Sequence, residues 1–123
     1  MLDPKQPNET RASWKDISPA ELHQRLGAGG RPRVVDVREP DELVGELGHI
    51  EGIEHVPLAT FAERCASWSR DDEIVVVCRS SGRSAKAAEQ LAAQGFKRIH
   101  NMVGGMLAWN AAALPVVRRA GGS

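Results

Sequence analysis

Apolar residues along this chain fall into two alternating patterns: short β-branched runs, and longer stretches with one apolar face. The clearest run is Glu73–Val77 (EIVVV), whose four consecutive apolar residues suit a strand covered on both faces, as in a parallel sheet. Arg33–Val37 (RVVDV) is a second such run, Lys97–Met102 reads as another strand, and Glu54–Pro57 has room only for a short one. Helical segments lie between them. Ser18-Pro19-Ala20-Glu21 has the form of a capping box with proline at the first helical position. It predicts a helix to about Leu26, ended by Gly27, Gly29 and Gly30. Pro40–Leu43 predicts a short helix, and Leu58–Trp68 carries helical periodicity through Phe61, Cys65 and Trp68. Gly82–Gln94 is rich in Ala, Glu, Gln and Lys with Gly95 as its stop, and a last short helix runs from Met106 to about Ala113. Strand and helix in alternation predict an α/β fold, a mostly parallel sheet with helices on both faces.

A chain of 123 residues holds one compact core. The expected domain covers 12–117, with 1–11 and 118–123 as polar, flexible tails. With 41% hydrophobic and 26% charged residues and a formal net charge of +0, no global field points to nucleic acid or a membrane surface. The absence of Tyr argues further against a base-stacking platform. The first eleven residues lack the apolar stretch of a secretory signal, and no run approaches the roughly 18 apolar residues of a spanning helix, so a cytoplasmic location is expected. There a disulfide between Cys65 and Cys78 is not expected. His23, His49, His55 and His100 show no paired ligand spacing, so neither a metal nor an organic cofactor is implied.

Cys78 stands directly after EIVVV and ahead of the Gly82–Gln94 helix, at the carboxyl end of the central strand, where open α/β sheets bind ligands. The linking residues Arg79, Ser80, Ser81, Gly82, Arg83 and Ser84 are small or basic, with no acid among them. A tight turn of small residues can aim several backbone N–H groups at one point and hold an anion. The anion nearest to hand is the Cys78 thiolate. A free cysteine titrates near about 8.5, and lowering that by about two units takes about 2.7 kcal/mol. A helix amino terminus supplies about 0.3–1 kcal/mol, up to roughly 2 where partly buried. Arg79, Arg83 and the loop amides would supply the rest, which makes Cys78 the expected nucleophile, reachable from solvent. Cys65, on the apolar stripe of its helix, is expected to be inert core.

VVVCRSSGRS resembles the active-site loop of the rhodanese superfamily. Val34-Val35-Asp36-Val37-Arg38-Glu39 resembles that family's strand ending in D-V-R-E. Gly48-His49-Ile50-Glu51-Gly52-Ile53 followed by His55-Val56-Pro57-Leu58 is similar to its G-H-I-x-G-A…I-P-L segment. Asn101–Trp109 with Leu114-Pro115-Val116 resembles its closing G-G…W…L-P-V pattern. These motifs follow in order from about Ile17 to Val117. The resemblance implies a rhodanese-like domain with a central, mostly parallel five-stranded sheet. It also implies a thiosulfate:cyanide-type sulfurtransferase in which Cys78 carries sulfane sulfur as a persulfide. The partners would be a small anionic sulfur donor and a cyanide, thiol or protein-thiol acceptor. Arg79 would draw in the donor. Arg83 would either bind the donor or, as favoured here, turn inward to pair with an acid such as Asp36, because a buried Arg stays charged. Asp36 and Arg38 are expected to form a structural ion pair or turn anchor, and His49 to mark a structural turn. Gly104-Gly105 would permit close backbone approach. One departure is the loop order C-R-S-S-G-R, where many relatives read C-R-S-G-x-R; moving the permissive glycine bears on which N–H groups point inward.

The residues leave two other classes open. Non-enzymatic rhodanese-like binding or regulatory modules keep the fold, but often lack the loop cysteine that stands here at Cys78. Cysteine-dependent phosphatases and arsenate reductases of related architecture place one residue more between cysteine and arginine than the four here. A residue spans up to about 3.3–3.6 Å, so the shorter loop suits a sulfur atom better than a tetrahedral phosphate.

Overall fold

The computed structural model describes residues 14–119. Five strands, β1 (Lys15–Ile17), β2 (Arg33–Asp36), β3 (Glu54–His55), β4 (Glu73–Val77) and β5 (Arg98–Met102), form one sheet in the order β1-β5-β4-β2-β3. Every pairing in it is parallel. Among the described residues, five helices connect or flank the strands: α1 (Pro19–Gly27), α2 (Pro40–Leu43), α3 (Leu58–Cys65), α4 (Gly82–Ala93) and α5 (Gly105–Ala111). The sheet is thus parallel throughout.

Side-chain alternation along β4 sorts the core into two layers. Ile74, Val76 and Cys78 meet Phe61 and Cys65 of α3 and Ala87, Ala88 and Leu91 of α4 on one face. Val75 and Val77 meet Leu22 of α1 and Met106 and Trp109 of α5 on the other. Full burial on both faces is what the unbroken Ile74–Val77 run requires, each such side chain contributing about 1.5–3 kcal/mol. After β2 the chain moves outward to β3; after β4 it moves the opposite way to β5. The divergence opens a crevice between the carboxyl ends of β2 and β4, the position favoured for ligand sites in such sheets.

Local rules account for most element ends. Ser18 Oγ accepts the Glu21 N–H at 3.1 Å to start α1, and Gly95, at φ +95°, follows α4. β1 escapes the apolar pattern because its KDI run buries only Ile17; it is held as an edge strand by its pairing with β5. Helix α3 stops at Cys65 rather than Trp68, where a turn closes by a 3.0 Å bond from Trp68 N to Cys65 O. β3 is two residues long rather than four. The expected tail over 1–11 lies outside the described residues, as do residues 12–13 and 120–123. Arg118, at the start of the other expected tail, donates from Nε to the Glu46 carbonyl at 2.9 Å.

Candidate active site

The loop after β4 is shaped by its contact with α5. Met106 N and Leu107 N donate to the carbonyls of Cys78 and Arg79 at 2.9 and 3.0 Å. Gly105, at φ +58°, makes this docking possible: a Cβ there would stand 2.5 Å from the Cys78 oxygen and 2.6 Å from the Arg79 carbonyl. A trans peptide points its N–H opposite to its C=O, so tying those two carbonyls to α5 turns the Arg79 and Ser80 amides away from it. Ser81 Oγ accepts the Gly104 N–H at 2.9 Å, a third tie on the same side. Among the described residues, no amide from Arg79 to Ser84 donates to a protein acceptor. Gly82 is not required by strain or space, since its φ is not positive and an added Cβ would meet nothing within 4 Å.

The sequence leads one to expect a reachable sulfur; the structure buries Cys78 to 1% exposure. The cause is β4's alternation, which places Cys78 on the face that α3 and α4 cover. Its Sγ meets a hydroxyl rather than backbone amides: Ser84 Oγ lies 3.3 Å away. Ser84 is fully buried, and its Oγ lies 2.6 Å from Asn101 Oδ1 on β5. Nothing in the sequence pattern marks Asn101 for this role. The available signal was a polar residue at an inward position of a strand whose neighbours Ile99 and Met102 are core.

Charges around the crevice are arranged in pairs. Asp36 and Arg38, both 1% exposed, form the expected structural ion pair: Nη2 is 2.8 Å from Oδ2, Nε is 2.9 Å from Oδ1, and the Arg38 amide also donates to Oδ1. Arg38 Nη2 further donates to the Gly48 carbonyl at 2.7 Å, fastening β2 to the following turn. Arg83 does turn to an acid, but the acid is Glu42 of α2, not Asp36. Its Nη1 and Nη2 lie 2.7 and 2.9 Å from the two Glu42 oxygens. Asp36 is already engaged by Arg38, and Glu42, one residue from the end of α2, takes Arg83 instead. The Arg83 hydrogen bonds lower the Glu42 carboxyl to about 2. Those same bonds hold the Arg83 guanidinium above its ordinary value, with smaller contributions from Cys78 and Asp36.

Arg79 is exposed and makes no ion pair among the described residues. It stands on the wall of a cleft of about 400 Å³ that also includes Arg38, Glu42, Leu107 and the carboxylates Asp41 and Glu46. Ser80 is exposed beside it. His49 is buried, donates from Nδ1 to the Leu43 carbonyl at 2.8 Å, and bridges to Val117 through its backbone. These contacts are those of a turn. No cluster of three His, Cys, Asp or Glu side chains suited to a metal occurs among the described residues, and no helix there is long and apolar enough to cross a membrane.

Residues 18–112 match the rhodanese-like domain family. A putative sulfurtransferase of Bacillus subtilis, YtwF, is 38% identical over 101 residues, covering 82% of this chain and 95% of that one. A sulfurtransferase of Allochromatium vinosum is 33% identical over 83% of this chain and 94% of its own length. The putative sulfur carrier protein YrkF of Bacillus subtilis is 35% identical, and the match spans only 54% of that longer chain. Among solved structures, a rhodanese-related protein of Thermoplasma volcanium superposes with a TM-score of 0.74 at 32% identity, over 85% of this chain and 99% of that one. An α/β sheet with Cys78 at its central strand end, a docked small-residue loop and this span of similarity lead to one conclusion: the chain belongs to the rhodanese-like domain family.

Proposed function

We propose that the protein is a sulfurtransferase that carries sulfane sulfur as a persulfide on Cys78. The observation that carries this reading is the loop itself. Six successive amides, Arg79 to Ser84, follow the sulfur without protein acceptors among the described residues, and α5 holds the carbonyls of Cys78 and Arg79 away from the loop's other side. Such a ring is acceptor-poor and suits an anion. The S–S bond of a persulfide would carry a second sulfur about 2 Å beyond the buried Sγ, toward a place where free N–H groups can meet its charge.

The Cys78 thiolate attacks the outer sulfur of an anionic donor such as thiosulfate. The new S–S bond forms as the donor's own S–S bond breaks, and sulfite leaves with the bonding electron pair. A thiophilic acceptor then attacks the outer sulfur of the Cys78 persulfide and restores the thiolate. With cyanide the product is thiocyanate, charge is conserved in both steps, and no outside oxidant or reductant enters. Burial of Sγ favours this chemistry over attack on a bulky centre, because a terminal divalent sulfur is the slimmest electrophile that can reach it. Arg79, exposed and without an ion pair among the described residues, supplies the cation that attracts the donor.

Incubation with thiosulfate followed by intact-mass measurement tests the reading. The expected result is a gain of one sulfur atom, removed by cyanide and absent in Cys78→Ser. No gain in the folded wild-type chain would reject sulfur carriage and favour a binding module.

A further inference from the structure

Three buried side chains stand in line from the nucleophile into the sheet. Cys78 Sγ is 3.3 Å from Ser84 Oγ, which is 2.6 Å from Asn101 Oδ1; the residues are 1%, 0% and 5% exposed. A hydroxyl has one proton to give, so the direction of this chain decides what the sulfur meets. With Asn101 presenting its oxygen, Ser84 donates to Asn101 and its Oγ accepts the thiol S–H. That arrangement fits neutral Cys78. A thiolate has no proton to offer and needs a donor instead. If Ser84 turns its proton to the sulfur, Oγ and Asn101 Oδ1 face one another at 2.6 Å with no hydrogen between them. The conflict disappears when the carboxamide turns over, because Nδ2–H then donates to Oγ. Among the described residues Ser84 is the sole hydrogen-bond partner of this carboxamide, so the half-turn breaks no other bond there. The Ser81 carbonyl, 3.1 Å from Ser84 Oγ, offers a second acceptor, but only to the proton that would otherwise go to the sulfur or Asn101.

We propose that Asn101 is a positioning residue for the nucleophile: by turning its carboxamide over it reverses the Cys78–Ser84–Asn101 chain, so that Ser84 donates to the sulfur whenever that sulfur is negatively charged. This rests on reading Cys78 as the nucleophile. Other groups facing the site supply a standing field rather than a switch. Arg83 of α4 is engaged by Glu42 of α2, and Asp36 at the end of β2 is neutralised by Arg38. Arg79 makes no ion pair among the described residues, α3 brings Phe61 and Cys65 to the same cluster, and α5 brings backbone amides. Of these neighbours, the Asn side chain is the one that can present either an acceptor or a donor from nearly the same position.

The test reads Cys78 ionisation from the pH dependence of its alkylation by iodoacetamide. Asn101→Asp keeps the shape but offers only acceptors, so the midpoint for Cys78 should rise by about one unit, with labelling about tenfold slower well below it. In a Ser84→Ala background the same substitution should move the midpoint little. An equal rise in both backgrounds would mean that the new carboxylate acts by charge alone and would overturn the proposal. A second readout uses the unaltered chain: the side-chain amide NMR signals of Asn101 should move with the Cys78 midpoint, and signals constant across it overturn the proposal. Alkylation needs no sulfur donor. A chain that shows the coupling but gains no sulfur from thiosulfate therefore rejects the sulfurtransferase reading alone, and one that loads sulfur without the coupling rejects the Asn101 relay alone.

Discussion

Cys65 and Cys78 are buried alike, at 0% and 1% exposure, within the same apolar cluster. Their surroundings differ in kind. Cys65 closes α3, its thiol directed to the Ala62 carbonyl at 3.5 Å, with Gln94 Nε2 approaching at 3.4 Å. Burial is the main influence there and pushes the thiol up from its ordinary value. Cys78 has the same hydrocarbon behind it but meets the Ser84 hydroxyl, and it heads a run of amides that have no protein acceptor among the described residues. Burial by itself therefore does not separate an inert cysteine from a candidate nucleophile. What separates them is the set of dipoles that the backbone holds open at one site and consumes at the other.

That contrast depends on the frame around the Cys78 loop, and each part of the frame can be removed. The largest effect is expected from Arg38→Met, which leaves Asp36 buried and without its guanidinium. Chemical denaturation should show a loss of about 3–5 kcal/mol, whereas Arg83→Met, breaking a half-exposed pair, should cost about 1 kcal/mol or less. Equal losses would mean that the buried pair does not anchor the β2 end of the crevice.

Gly105→Ala comes next. Its methyl would collide with the Cys78 and Arg79 carbonyls at a positive φ, so α5 must shift. A destabilisation of about 1–3 kcal/mol is expected, together with a reduced preference of iodoacetamide for Cys78 over Cys65 in the native protein. An unchanged labelling ratio would show that the docked carbonyls do not set the reactivity of the loop.

The smallest effect belongs to the Glu42–Arg83 pair. Because the Glu42 carboxyl is lowered from 4.5 to about 2 in the folded chain, its contribution is complete above about pH 4.5 and is lost as the pH falls toward 2. The difference in Tm between wild type and Arg83→Met should therefore be constant near neutrality and shrink through that acid window. A difference that widens on acidification contradicts the pairing.

Much of this architecture is legible in residue order because it follows from local rules. EIVVV, RVVDV and the alanine-rich Gly82–Gln94 segment state their own periodicity, and the turn after β4 identifies Cys78 and the six residues behind it. β1 was invisible because a three-residue edge strand with one buried side chain, Ile17, carries no period. The Glu42 partner of Arg83 was missed because the two lie 41 positions apart, and several acids in the sequence serve equally well until the crevice excludes Asp36. Asn101 sat inside a recognisable motif, but nothing along the chain says that it meets Ser84, 17 residues away.

Residue order was enough to set the alternation of strands and helices, the carboxyl-end placement of Cys78 and the acid-free loop, since these depend on neighbours a few positions apart. Folding in three dimensions settled how deeply the sulfur lies, which carboxylate holds Arg83, and the docking of α5 onto the Cys78 and Arg79 carbonyls. Those outcomes depend on surfaces from distant segments meeting, and hydrophobic pattern alone does not specify which polar groups then come within hydrogen-bond reach.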